Sequence, residues 1–220
     1  MPEMTVTERR RRTIAQVVAA AIYAYGWAGD AELEPAGDLL AADDFNRADG
    51  DPGPNWVLED PTFVIVSGRL VHTGGRDFIA WATAMPTADY YVEADVWGYG
   101  GPGNDTSQYV IVHGRANGFG DNNCYMGYIH PTTGDLVIGK LVGYAYSDVA
   151  TAPYTRHTPP TRLRLEMQGT ALRLYADGVL VVSATDTDIT AAGQPGLNAS
   201  SSGGAEHPPQ YDNFAVGALE

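Results

Sequence analysis

The 220-residue sequence has one cysteine, Cys124. That excludes an intrachain disulfide and leaves no cysteine-rich metal cluster. Charge is scarce at 18%, and positive charge scarcer still: 13 Lys+Arg stand against 27 Asp+Glu, a formal net charge of −14. Binding a phosphate backbone asks for clustered Lys/Arg, so nucleic acid is a poor fit as partner. Anionic lipid is disfavoured for the same reason, and no apolar run reaches the ~20 residues of a membrane span. The five histidines (His72, His113, His130, His157, His207) lack metal-ligand spacing, and there is no Gly-x-Ser-x-Gly elbow. Cys124 has no His arrangement to make it a nucleophile and is expected to pack as a small apolar residue. No repeat of fixed period is present. What the chain does have is 26 glycines and 14 prolines, hence many turns, and a 44% hydrophobic share. A chain of this length can bury a core without staples.

The charge is unevenly spread. Residues 1–28 hold Arg9, Arg10, Arg11 and Arg12 against Glu3 and Glu8, a balance of +2, leaving −16 for the remainder. Thr5-Val6-Thr7-Glu8 fits a helix-capping box, and Ile14, Val18, Ala21 and Tyr25 recur at helical steps as one apolar stripe. A helix that docks onto a partner is expected over 1–28. A secretory signal is the rival, with its basic, apolar and small-residue regions, but Gln16 and the tyrosines dilute the apolar stretch. Residues 29–41 read as an acidic linker broken at Pro35 and Gly37.

From residue 42 the period becomes two. Leu163, Leu165 and Met167 alternate with Arg162, Arg164 and Glu166, and Leu172, Leu174 and Ala176 alternate with Arg173 and Tyr175. Asp177-Gly178, between alternating runs, is a strong hairpin signal, because both turn residues need positive φ. About ten to thirteen short strands and no helix are expected over 42–220. That is an all-β antiparallel sandwich or barrel.

Particular segments narrow this further. Asp43-Asp44-Phe45-Asn46-Arg47-Ala48-Asp49-Gly50 is followed by Asn55-Trp56. Later come Asn123-Cys124-Tyr125, Arg164-Leu165-Glu166, Leu174-Tyr175-Ala176-Asp177-Gly178, Ala184-Thr185-Asp186-Thr187, Gly193-Gln194-Pro195-Gly196-Leu197 and Tyr211-Asp212-Asn213-Phe214. In this order, over 42–220, they resemble concanavalin A-like lectin/glucanase (laminin G-like) domains. The resemblance implies a jelly roll of two packed curved sheets with a concave face. Domains with this opening resemble modules of virion proteins from phages of actinobacteria, often minor tail proteins, and also secreted bacterial carbohydrate-binding modules.

Along 90–97, Tyr91, Glu93, Asp95 and Trp97 share one face and Tyr90, Val92, Ala94 and Val96 the other. Aromatic rings stack on pyranoses and carboxylates accept hydroxyl hydrogen bonds, so these four are the candidate glycan contacts. Their pattern is similar to the Glu-x-Asp-x-x-Glu strand of laminarinase-like retaining glycosidases. Retention needs a pair of carboxyls about 5–5.5 Å apart, and the third acidic position here is Gly98. A non-enzyme is therefore expected, with the glycosidase as a weak rival. The plain alternative is that the four form the solvated face of an ordinary strand. Asp44 and Asp212, at opposite ends of the domain, are candidate ligands for a structural calcium that the resemblance allows; no cofactor is required. Asp44-Phe45-Asn46 is not an EF-hand, since Ala48 takes the next ligand position. Gly98-Tyr99-Gly100-Gly101-Pro102-Gly103 spells a dinucleotide fingerprint but leads into a strand rather than a helix, and is a loop.

The expectation is thus a virion structural protein, a minor tail or capsid decoration protein. Its helix binds other virion proteins, probing outward is a lectin-like sandwich that contacts host-surface glycans, and the copies form a homo-oligomer on the particle exterior. The alternative is a secreted carbohydrate-binding module.

Overall fold

The computed structural model describes residues 38–98, 108–118, 123–155, 157–201 and 208–220. The expected docking helix, with Ile14, Val18, Ala21 and Tyr25, lies outside the described residues, as does most of the expected linker. Fifteen strands are present among the described residues, somewhat more than anticipated, and no helix.

They run β1 Leu39–Asp43, β2 Trp56–Leu58, β3 Phe63–Val66, β4 Arg69–His72, β5 Gly75–Trp81, β6 Tyr90–Trp97, β7 Tyr109–Ala116 and β8 Cys124–Ile129. The remainder are β9 Leu136–Val142, β10 Ala145–Ala152, β11 Thr161–Gln168, β12 Ala171–Ala176, β13 Val179–Thr185, β14 Gln194–Ser201 and β15 Gln210–Ala218. β1 begins at Leu39, so the end of the expected linker is already strand. One sheet, here sheet A, has the order β13-β12-β11-β6-β15-β4-β3, with β1 beside β15; sheet B has the order β10-β9-β8-β7-β14-β5-β2. The strand pairings are antiparallel. This is the expected all-β antiparallel sandwich, consistent with a concanavalin A-like jelly roll.

Period-two alternation explains the core. Val92, Ala94 and Val96 of β6 and Leu163, Leu165 and Met167 of β11 are fully buried against Val110, Val112, Tyr125, Ile138 and Leu197 of sheet B. Burying each such side chain stabilises by about 1.5–3 kcal/mol before entropy is counted. The β12–β13 hairpin turns on Asp177 (φ 52) and Gly178 (φ 78), the two positive-φ residues its sequence demands.

The opening motif is a clasp. The Asp43 carboxylate accepts from both Arg47 terminal nitrogens (2.7 and 2.9 Å), from Trp56 Nε1 (2.7 Å) and from the Phe45 amide (2.8 Å). Burial pushes the Asp43 pKa up, but the Arg47 and Trp56 bonds outweigh it and hold the group below its usual range. Above the clasp, Trp56 packs on Phe45, Trp81 and Phe214 at 4.8–5.6 Å between ring centres. Residues of the shared motif therefore do structural work.

Strands of sheet B behave differently from the alternation seen in β11. β8 is buried along its whole length. Its inward residues join the core, while Cys124, Met126 and Tyr128 join Phe78, Ile111, Val137 and Leu141 in a second apolar layer on the outer face. Cys124 is 1% exposed, and burial pushes its thiol up to about 12, so it packs as an apolar residue.

Candidate carbohydrate-contact site

β6 places Tyr91, Glu93, Asp95 and Trp97 together on the outer face of sheet A, and the neighbouring strands decide what they do there. β11 pairs Arg164 with Glu93 and Arg162 with Asp95. Arg162 donates to Glu93 Oε1 (2.8 Å) and Asp95 Oδ1 (3.0 Å), and Asn213 Nδ2 donates to Asp95 Oδ2 (2.8 Å). The Arg164 guanidinium sits 3.7 Å from the Tyr91 ring centre, on a ring that is 3% exposed. From another side Gly217 approaches so closely that a Cβ there would stand 2.4 Å from Tyr91 Cε1. Burial, and then the Glu93 charge, push the Tyr91 hydroxyl up to about 12. Trp97 carries the Arg69 guanidinium 4.1 Å from its ring centre. Arg164 and Arg173 reach Glu166, to which the Tyr175 hydroxyl also donates (3.0 Å). The face is a cross-linked ladder of cations, carboxylates and rings. Its carboxylates are all paired with cations, Arg164 keeps only its Nε without an acceptor, and Tyr91 offers little open surface.

A retaining acid pair is not assembled there. The third position, Gly98, has φ 84, and a Cβ would lie 2.7 Å from the Pro208 carbonyl oxygen, so the backbone leaves no room for a carboxylate. A Ser–His–Asp chain does occur elsewhere, with Ser201 Oγ 3.2 Å from His72 Nδ1 and His72 Nε2 3.4 Å from Asp77 Oδ2. His72 is fully buried, Thr62 also donates to Asp77 (2.6 Å), and Ser201 is 8% exposed. The chain ties strand ends together beneath the surface.

Asp44 accepts from the Asn46 amide and Asp212 from the Asn213 amide. Burial, with the like charges of Asp95 and Asp44, pushes Asp212 up to about 6. Asp44 and Asp212 thus feel one another, yet among the described residues no three His, Cys, Asp or Glu side chains gather where a metal could sit. Asp44 lies in the loop after β1 and Asp212 at a bulge of β15, and together they give two of the six to eight oxygens that calcium takes, the rest being left to carbonyls and water.

The outer face of sheet B holds a site that the sequence reading missed. Tyr146 on β10 is 44% exposed, and its Cε2–Cζ–OH edge lies over Gly139 of β9, where a Cβ would stand 2.8 Å from the ring. Its hydroxyl meets that of Tyr128 at 2.5 Å and also bonds the Asp148 carboxylate. Burial, then Asp148, raise the Tyr146 pKa, and burial pushes Tyr128 up to about 12, so both stay protonated donors. Tyr109 meets Tyr128 edge-on at 5.6 Å, and Tyr144, at the hairpin tip, is 66% exposed. Further along the face, His113 and Asn198 are each 1% exposed with side-chain nitrogen and oxygen atoms unpartnered. Burial pushes His113 down to about 3, so it is neutral. The signal was available in Tyr144-Ala145-Tyr146-Ser147-Asp148, which repeats the aromatic-x-acid spacing read in β6.

No protein-family model matches the chain, and no sequence match to a curated protein is found. Solved structures do match. The carbohydrate-binding module CBM66 from Bacillus subtilis superposes with a TM-score of 0.61 at 19% identity, over 74% of this chain and 96% of that one. A Bacillus subtilis protein with a galectin-like fold gives 0.63 at 12% identity, over 83% and 97%. The exoplasmic/lumenal domain of VIP36, in its Ca2+/Man-bound form, gives 0.59 at 9% identity, over 76% and 84%. What these likenesses show is the fold: the two-sheet antiparallel sandwich of this chain is similar to those of CBM66, the galectin-like protein and the VIP36 domain.

Proposed function

We propose that this chain is a non-catalytic carbohydrate-binding domain, and that its contact surface is the Tyr146–Tyr128–Asp148 cluster of sheet B. The observation that carries the reading is the Tyr146 ring, which is supported by a strand glycine, reaches solvent and has hydroxyl and carboxylate partners at its polar end. An exposed ring supplies a stacking face at low entropy cost, and a carboxylate beside it accepts from sugar hydroxyls. The likeness to CBM66 and to the VIP36 domain supports the same class of ligand.

Trp97 with Asp95 is the second reading of the contact surface, because both residues are only half-buried. Affinity electrophoresis through gels loaded with bacterial wall polysaccharides separates the two. Tyr146→Ala is expected to abolish retardation at least tenfold in affinity while Trp97→Ala leaves it intact; the reverse outcome moves the site to sheet A. A structural calcium held in part by Asp44 and Asp212 is a separate proposal, and the sugar contact at Tyr146 does not depend on it. A rise in Tm on adding calcium, lost in Asp212→Asn, is the result expected of it; a Tm that ignores calcium would end it.

A secreted module is the setting that the likeness to solved structures favours. Display on a phage virion, as a minor tail or capsid decoration protein, is the alternative setting, supported by the Asp43–Gly50 opening and the basic, helix-patterned prefix. Deleting residues 1–28 is expected to prevent incorporation into particles while leaving the sandwich folded. Particles that still carry the truncated chain would end the virion reading.

A further inference from the structure

The contact at Tyr146 leaves one charge unanswered. On the outer face of sheet A the acids have their cations: Arg162 pairs with Glu93 and Asp95, and Arg164 with Glu166. Asp148 of β10 is exposed, and among the described residues no cation pairs with it. Asp148 and Tyr146, two residues apart on one strand, share a face. One carboxylate oxygen, Oδ1, accepts from the Tyr146 hydroxyl and, at 3.5 Å, from that of Tyr128. No described residue donates to the other, Oδ2.

The neighbouring basic groups are out of reach or already engaged. Lys140 of β9 stands opposite Ser147, but it lies on the other face of the strand, in register with Tyr125 of the core. Its ammonium is held by Asp186 at 2.5 Å and Asp188 at 2.6 Å. Arg76 shares the outer face but stands on β5, five strands across from β10, about 24 Å at the usual strand spacing. That exceeds two screening lengths at physiological salt. Residues 29–220 hold 25 acidic residues against 9 basic ones, so the field of the body draws cations and repels anions. The surroundings of the Tyr146 ring thus present a lone carboxylate oxygen with no positive charge to complete it.

Building on the reading of Tyr146 as the sugar contact, we propose that the sugar it takes is an amino sugar with a free ammonium group, which Asp148 Oδ2 accepts while the pyranose stacks on the Tyr146 ring. A hydrogen bond between an ammonium and a carboxylate is roughly twice as strong as a neutral one, and a cation beside a tyrosine ring is drawn to its face as well. Glycans bearing uronate or phosphate bring like charge to Asp148 and are disfavoured. N-acetylation removes the ammonium, and the preference goes with it.

Titration calorimetry of the full chain with the tetramers of glucosamine and of N-acetylglucosamine tests this. The free amine is expected to bind at least tenfold more tightly. Asp148→Asn should abolish that preference with an unchanged far-UV spectrum. Asp60→Asn removes the same charge from an exposed site between β2 and β3, and should keep the preference. Equal affinity for the two tetramers, both lost in Tyr146→Ala, would overturn the ammonium assignment and leave the Tyr146 contact standing. So would failure of the glucosamine tetramer to bind while a wall polysaccharide still retards the chain through Tyr146. A preference that Asp60→Asn weakens as much as Asp148→Asn does would reduce the effect to bulk charge and overturn the proposal. A lysine-rich peptide that binds through Asp148 where glucosamine does not would overturn it as well. Binding that Tyr146→Ala leaves intact for every glycan tried would end both this proposal and the reading on which it rests.

Discussion

Gly139 and Tyr146 are coupled: the ring rests where the glycine has no side chain. Gly139→Ala should push the ring away, because a Cβ would sit 2.8 Å from its edge. The far end of a tyrosine can swing aside, so stability should hardly change while glycan affinity falls about tenfold, about 1.4 kcal/mol. Titration calorimetry beside a thermal melt separates the two. Asp212 makes a different prediction. Its pKa is raised to about 6, from 3.8, by burial and the neighbouring acids. The folded state therefore favours the protonated form, and that contribution is present at acid pH and lost as pH rises through 6. Asp212→Asn should stabilise the protein at pH 7.5 by about 1–2 kcal/mol, and should gain little at pH 4. His113 acts in the opposite sense. Burial depresses it from 6.5 to about 3, so its contribution is present above pH 6.5 and lost as pH falls toward 3. His113→Leu should flatten the acid side of a Tm-versus-pH curve, although His72, also depressed by burial, keeps part of the slope.

Strands and turns with local causes were legible before the structure. The alternation of Thr161–Gln168 and the Asp177-Gly178 turn appear as read, because period and φ preference are properties of neighbouring residues. The face of β6 was also legible. What its residues touch was not, because Arg162 and Arg164 come from a strand about seventy positions away and meet Glu93, Asp95 and Tyr91 only through the β6–β11 pairing. β8 was opaque for a related reason: both of its faces are buried, so it shows no alternation to read. The opening motif was recognised by its residues, but its role as a clasp needed Trp56 beside Asp43. Removing that carboxylate leaves the Trp56 N–H without its acceptor and the Arg47 guanidinium with the Pro52 carbonyl alone. Asp43→Ala should therefore cost about 1–3 kcal/mol, read as a lower denaturation midpoint at unchanged slope.

For the whole molecule, the −14 net charge resolves into partly neutral surfaces on an acidic body. Sheet A's outer face is a ladder in which arginines and carboxylates answer one another. Sheet B's outer face is aromatic and apolar with a few hydroxyl and carboxylate groups. The fold supplies two broad surfaces, and the proposed sugar contact lies on the second. Hydrogen exchange of the full chain with and without a retarding wall polysaccharide tests this most directly. The account predicts slowed exchange along β8, β9 and β10 around Tyr128, Gly139 and Tyr146, with β6 and β11 unchanged. Protection confined to β6 and β11, or no protection with any polysaccharide that slows the chain's migration, would contradict it.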